Sequence, residues 1–150
     1  MKTVSFLWVC LLALTFNACS QGSPNTEYLP QHAAVEATDE SDNATIEQAF
    51  SAKLSNVQVK GSGVVSKLLP DDNKGSRHQK FLVQISSEQS LLFTHNIDLA
   101  PRVPMKVGDK ISFNGEYVYN SKGGIIHWTH HAPQQDHEGG WIMLDGEQYQ

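Results

Sequence analysis

From residue 57 to residue 131 the chain alternates apolar and polar side chains and interrupts the alternation with glycine-rich turns, a pattern that allows short β-strands and little else. A first strand is expected over 57–65, with Gly61 and Gly63 suited to a bend, and Asp71-Asp72-Asn73-Lys74-Gly75 is a turn after it. A second strand over 78–86 places Phe81, Val83 and Ile85 on one face, and a third runs over 90–97. A proline-containing loop over 99–107 and the turn Gly108-Asp109 lead into a fourth strand over 110–120, with Ile111, Phe113, Tyr117 and Tyr119 on one face. Ser121-Lys122-Gly123-Gly124 then turns the chain into a fifth strand over 125–131. An open sheet this small would leave long unpaired edges, whereas a closed barrel removes them. The expected fold is all-β, a small five-stranded barrel of the oligonucleotide/oligosaccharide-binding (OB) type.

Ahead of these strands, Thr45-Ile46-Glu47-Gln48 has capping-box spacing, and Ile46, Ala49, Phe50 and Leu54 fall on one helical face. A short helix packed on the barrel follows. Residues 19–43 lack a sustained apolar period, are rich in Ser, Asn, Thr and acids, and read as a disordered linker.

Residues 1–18 have the form of an export signal. Lys2 precedes an apolar run over 4–16 that is shorter than the roughly 20 residues a membrane span needs. Phe16-Asn17-Ala18-Cys19-Ser20 resembles a lipoprotein cleavage box, with Cys19 the residue to be lipidated. The only other cysteine, Cys10, lies in the leader, so lipidation accounts for a cysteine with no partner for a disulfide. Export, a periplasmic domain and a lipid anchor in a membrane follow, and Ser20 after Cys19 resembles the pattern that sorts lipoproteins to the outer membrane.

Loss of the leader leaves ten basic against sixteen acidic side chains. A protein that neutralises nucleic-acid phosphates needs a basic stripe, and the longest basic cluster here, over 74–80, follows Asp71 and Asp72 directly. Nucleic acid is therefore not the expected partner. Those adjacent acids do not alternate as calcium-loop ligands do and read as a turn.

Histidine placement carries the chemistry. Six of seven histidines lie in the domain and four fall within residues 127–137. If the fifth strand continues to His131, His127, Thr129 and His131 share one face and Trp128 and His130 the other. His127 and His131 then stand roughly 13 Å apart, too far to share one metal ion. The workable set is His130 or His131 from the strand end, His137 from the next loop, and His95 or Asp98 from the end of the third strand. Such imidazoles and carboxylates suit zinc, copper, nickel or non-haem iron. The plainer alternative makes these histidines hydrogen-bonded structural groups. Asp98 and Arg102 are close enough in sequence to pair across the loop; alternatively Arg102 grips an anionic ligand. Phe93, Phe113 and Trp128 are expected in the core, and Trp141, beside Gly139-Gly140, partly exposed.

Several of these segments resemble a bacterial exported family filed as a domain of unknown function. They are His95-Asn96-Ile97-Asp98-Leu99-Ala100-Pro101-Arg102, Gly115-Glu116-Tyr117, the run Gly123-Gly124-Ile125-Ile126-His127-Trp128-Thr129-His130-His131, and His137-Glu138-Gly139-Gly140-Trp141. The resemblance covers about residues 46–150, departs at Ala132 where an Asp is expected, and implies a fold and export but no activity.

Three functions remain, in this order. The first is an anchored module that binds a metal ion or small ligand at the histidine-rich end through His95, Asp98, Arg102, Trp141, His130, His131 and His137. The second is an envelope structural or interaction protein without ligand chemistry. The third is a metal-dependent hydrolase with Asp98 or Glu116 as base. No nucleophile elbow, phosphate loop or catalytic cysteine supports the third.

Overall fold

The strands close on themselves because the first pairs along an edge of the fourth while the second, third and fifth complete the circuit. The computed structural model describes residues 39–150. The expected leader, Cys19 and the linker as far as residue 38 lie outside the described residues. One helix, α1 (Asp39–Ser51), is followed by β1 (Val57–Leu68), β2 (His78–Gln84), β3 (Ser90–Asn96), β4 (Lys110–Val118), β5 (Ile125–His127), β6 (Trp141–Leu144) and β7 (Glu147–Tyr149). The order around the ring is β1-β2-β3-β5-β4, with β4 returning to β1 and β3 parallel to β5. This is the expected five-stranded OB-like barrel.

Alternation decides what fills it. Phe81 and Val83 of β2, Leu91 and Phe93 of β3, and Ile111, Phe113 and Tyr117 of β4 are buried. Phe81 and Phe93 stack with centroids 4.9 Å apart, and Phe93 meets Phe113 edge-on at 4.8 Å. Both geometries are favoured by the ring quadrupole. The β3–β4 loop contributes to the core as well. Val103 and Met105 are buried, and the Gln79 side chain bonds both backbone groups of Val103 at 2.9 and 3.0 Å.

The helix starts earlier than its capping-box spacing implied, and residues 39–43 belong to it rather than to the linker. Asn43, upstream of that box, fastens it: its side chain donates to the Ser62 carbonyl at 3.0 Å and accepts from the Ser62 N–H at 3.1 Å. Gly61 makes the approach possible, since a Cβ there would lie 2.6 Å from Asn43 and 2.7 Å from Ile46. Ile46 and Ala49 are buried beneath the helix; Leu54, expected on the same face, lies beyond its end and is 49% exposed.

Two departures concern the C-terminal third. The fifth strand ends at His127 instead of His131, because Trp128 takes a left-handed backbone with φ 57° and leaves the ladder. The face alternation expected for 127–131 therefore does not hold. The short β5 covers only the Glu116–Val118 end of the second edge of β4, and β6 pairs with the remainder, Ile111 to Asn114. β6 and β7 form a hairpin across Asp145-Gly146, whose φ values of 51° and 82° suit a type I′ turn.

Candidate functional site

The end of β5, the start of β2 and the end of β3 meet at one side of the barrel, where the chain after Trp128 folds over them. Together they line an open cleft of about 360 Å³ whose walls include His78, Thr94, Asn96, His127, Trp128, His130 and His137. Of the residues singled out from sequence, the cleft gathers His130 and His137. It adds His78, His127 and Trp128, none of which is in the ligand set expected from the sequence.

Each imidazole is seated differently. His127 Nδ1 lies 2.9 Å from the Thr94 hydroxyl, which also approaches the Ile126 carbonyl at 3.4 Å. His130 Nδ1 is 2.6 Å from the His131 carbonyl, and His137 Nδ1 is 2.8 Å from the Glu138 carbonyl. Carbonyl oxygens only accept, so both Nδ1 atoms carry the hydrogen, and in the neutral ring each Nε2 is left as an acceptor. The rings of His130 and His137 stand edge-to-face with centroids 5.2 Å apart, and His137 is also edge-on to Trp128. Desolvation lowers the pKa of His127 and of His130 from the ordinary histidine value of 6.5, and neighbouring imidazoles add to it.

His95 is near the cleft but does not face it. It is fully buried, with Nε2 3.0 Å from the Pro101 carbonyl and Nδ1 2.8 Å from the Thr129 hydroxyl. Since Nε2 must donate to the carbonyl, Nδ1 accepts from Thr129, and both ring nitrogens are committed. Burial depresses its pKa in the same way. It is a clamp holding the β3–β4 loop and the post-β5 segment to β3, and it is not available as a metal ligand.

Asp98 does not pair with Arg102. It accepts from the Arg77 Nε at 2.6 Å and from the Arg77 backbone N–H at 2.7 Å, contacts that hold its carboxyl below the usual aspartate range. Arg102 pairs with Asp71 instead. The β2–β3 pairing causes the exchange by setting Arg77 beside the residues that follow β3. His131 is exposed and does not line the cleft, and Trp141 is half-buried on β6 beside Asn114. Trp128, expected in the core, is a wall of the cleft because its left-handed backbone turns it out of the strand. Among the described residues no three His, Cys, Asp or Glu side chains are placed to hold one metal ion.

Gly140 shows how tightly this region is packed. A Cβ there would lie 2.3 Å from both the Asn114 and Trp128 carbonyl oxygens, and the Gly140 N–H bonds the His130 carbonyl at 2.9 Å. Gly140 is thus wedged between Asn114 of β4 and the backbone carrying Trp128 and His130.

The fold and cleft define a closed OB-like β-barrel with an imidazole- and indole-lined recess at one side. The chain belongs to the family described as "Protein of unknown function (DUF3465)", whose model matches residues 31–150. No curated protein and no solved structure matches it.

Proposed function

We propose that this is a binding module, carried on an exported and lipid-anchored chain, that holds a small organic ligand in the histidine cleft. One observation carries the reading: four imidazoles and one indole, drawn from segments as distant as His78 and His137, converge on a recess of about 360 Å³. Recesses of this size with a few fixed polar groups among apolar walls are the usual form of small-molecule sites. The hydrogen bonds at Nδ1 of His127, His130 and His137 fix the rings before any ligand arrives, which lowers the ordering cost of binding. The apolar leader and Cys19 support export and anchoring, with the barrel facing the periplasm.

The test is isothermal titration calorimetry of the purified protein against a mixed set of small amines, sugars, heterocycles and carboxylates, beside a His130→Ala/His137→Ala variant. Saturable binding in the wild type that the variant loses supports the module. No binding by a folded wild type leaves the envelope structural role in its place.

A second reading has one observation in its favour. Histidines that bind metals commonly turn the other ring N–H to a backbone carbonyl, as His130 and His137 do. It needs a third donor, and zinc titration followed by metal analysis tests it directly.

A further inference from the structure

Trp128 divides two recesses. On its other side lies a smaller polar one of about 260 Å³, lined by Asn56, Gln58, Glu116 and Glu138 and sharing Trp128, Asp136 and His137 with the first. Glu116 reaches it from β4, where it pairs in register with Gln58 of β1 and His127 of β5, so its place is set by strands on both sides. Every ionisable group lining either recess is a histidine, an aspartate or a glutamate, and neither lining includes a lysine or arginine.

Resting on the reading of the first recess as a ligand site, we propose that its ligand is a small organic cation, an amine whose apolar body lies against Trp128, Leu99 and Pro133 and whose ammonium group reaches past Trp128 toward Glu116, Asp136 and Glu138. Three independent features favour that chemistry. With Nδ1 of His130 and of His137 committed to carbonyls, those two rings in their neutral form leave Nε2 as an acceptor, which suits a ligand that brings N–H donors. Trp128, which lines both recesses, supplies an indole, the aromatic ring that attracts ammonium groups most strongly. An anion would meet Asp136 in both recesses and Glu116 and Glu138 in the second, with no lysine or arginine in either lining to balance them, which discriminates against that class. The left-handed backbone of Trp128, confined by the close packing at Gly140, holds the indole between the two recesses instead of in the barrel core.

The experiment uses three probes that share a para-ethylphenol body and differ in terminal charge: tyramine, para-ethylphenol itself and para-hydroxyphenylpropionate, titrated calorimetrically into the purified protein at neutral pH. Tyramine is expected to bind about tenfold or more tighter than para-ethylphenol, with the propionate weakest. Glu116→Gln and Glu138→Gln, separately and together, should bring tyramine toward the neutral probe and leave para-ethylphenol unchanged. Glu138 is exposed, so its variant keeps the test informative if the change at Glu116 unfolds the barrel. Equal or tighter binding of the propionate, or an amine preference untouched by both glutamate variants, overturns the proposal while leaving the recess as a ligand site. So does failure of all three probes to bind; the mixed set described above then decides separately whether the recess binds anything. Stoichiometric zinc binding lost in His130→Ala/His137→Ala would also overturn it, in favour of a metal.

Discussion

The hydroxyl of Thr129 donates to Nδ1 of His95 across 2.8 Å, tying the segment that carries Trp128 and His130 to the buried face of β3. Thr129→Val keeps the shape and removes the donor, leaving a buried imidazole nitrogen unpaired. The expected loss is about 1–3 kcal/mol in urea unfolding. A loss below about 0.5 kcal/mol would mean the bond contributes nothing beyond packing.

Stability should fall as pH drops below the ordinary histidine range. His95, His127 and His130 all have pKa values depressed from 6.5, chiefly by burial. Between those folded-state values and 6.5 the unfolded chain binds more protons than the native one, so stability is full above 6.5 and declines as pH falls below it. Protonation would also set His130 against His78, His131 and His137, whose charges repel it. Melting temperatures between about pH 7 and pH 5 check this. A flat or rising profile contradicts it, and Asp98 does not confuse the reading because its carboxyl titrates below 3.8.

Gly124→Ala should be among the most damaging single changes. The residue has φ 114°, and a Cβ there would come within 2.1 Å of the fully buried Tyr117 ring, whose hydroxyl bonds the neighbouring Gly123 carbonyl. A left-handed strain and a clash with an immobile ring together cost about 3 kcal/mol or more. Thermal unfolding of the purified variant measures it, and a near-native melting temperature would show that Tyr117 can move aside.

Arg77→Ala, by contrast, removes a partner of Asp98 from a pair whose side chains are 58% and 37% exposed. Exposed pairs of this kind contribute less than about 1 kcal/mol. Urea midpoints at low and high salt should differ little between wild type and variant. A large loss would mean that the backbone N–H of residue 77 also depends on the pair.

The barrel strands were legible because one face of each is buried, so alternation over residues such as Phe81, Val83, Leu91, Phe93, Ile111 and Phe113 survives in the sequence. The β6–β7 hairpin leaves a fainter trace, since β6 is only four residues long and β7 three, with Ile142 and Leu144 alternating ahead of Asp145-Gly146. The end of β5 could not be read. Nothing about tryptophan announces a left-handed backbone, and only the packing of Gly140 against the Trp128 and Asn114 carbonyls accounts for it. The site was half legible for the same reason. His130 and His137 stand in one crowded stretch of sequence, but His78 joins them through its register opposite Asn96, and register is a property of two strands at once. The exchange of partners between Asp98 and Arg102 has that origin too.

The cleft takes its walls from β2, β3, β5 and the segment after it. A ligand there binds only where the closed ring has brought these walls together. Its binding free energy should therefore appear as protection of the slowest-exchanging amides of β3 and β4, growing with the logarithm of ligand concentration. Occupancy and the integrity of the ring are linked equilibria.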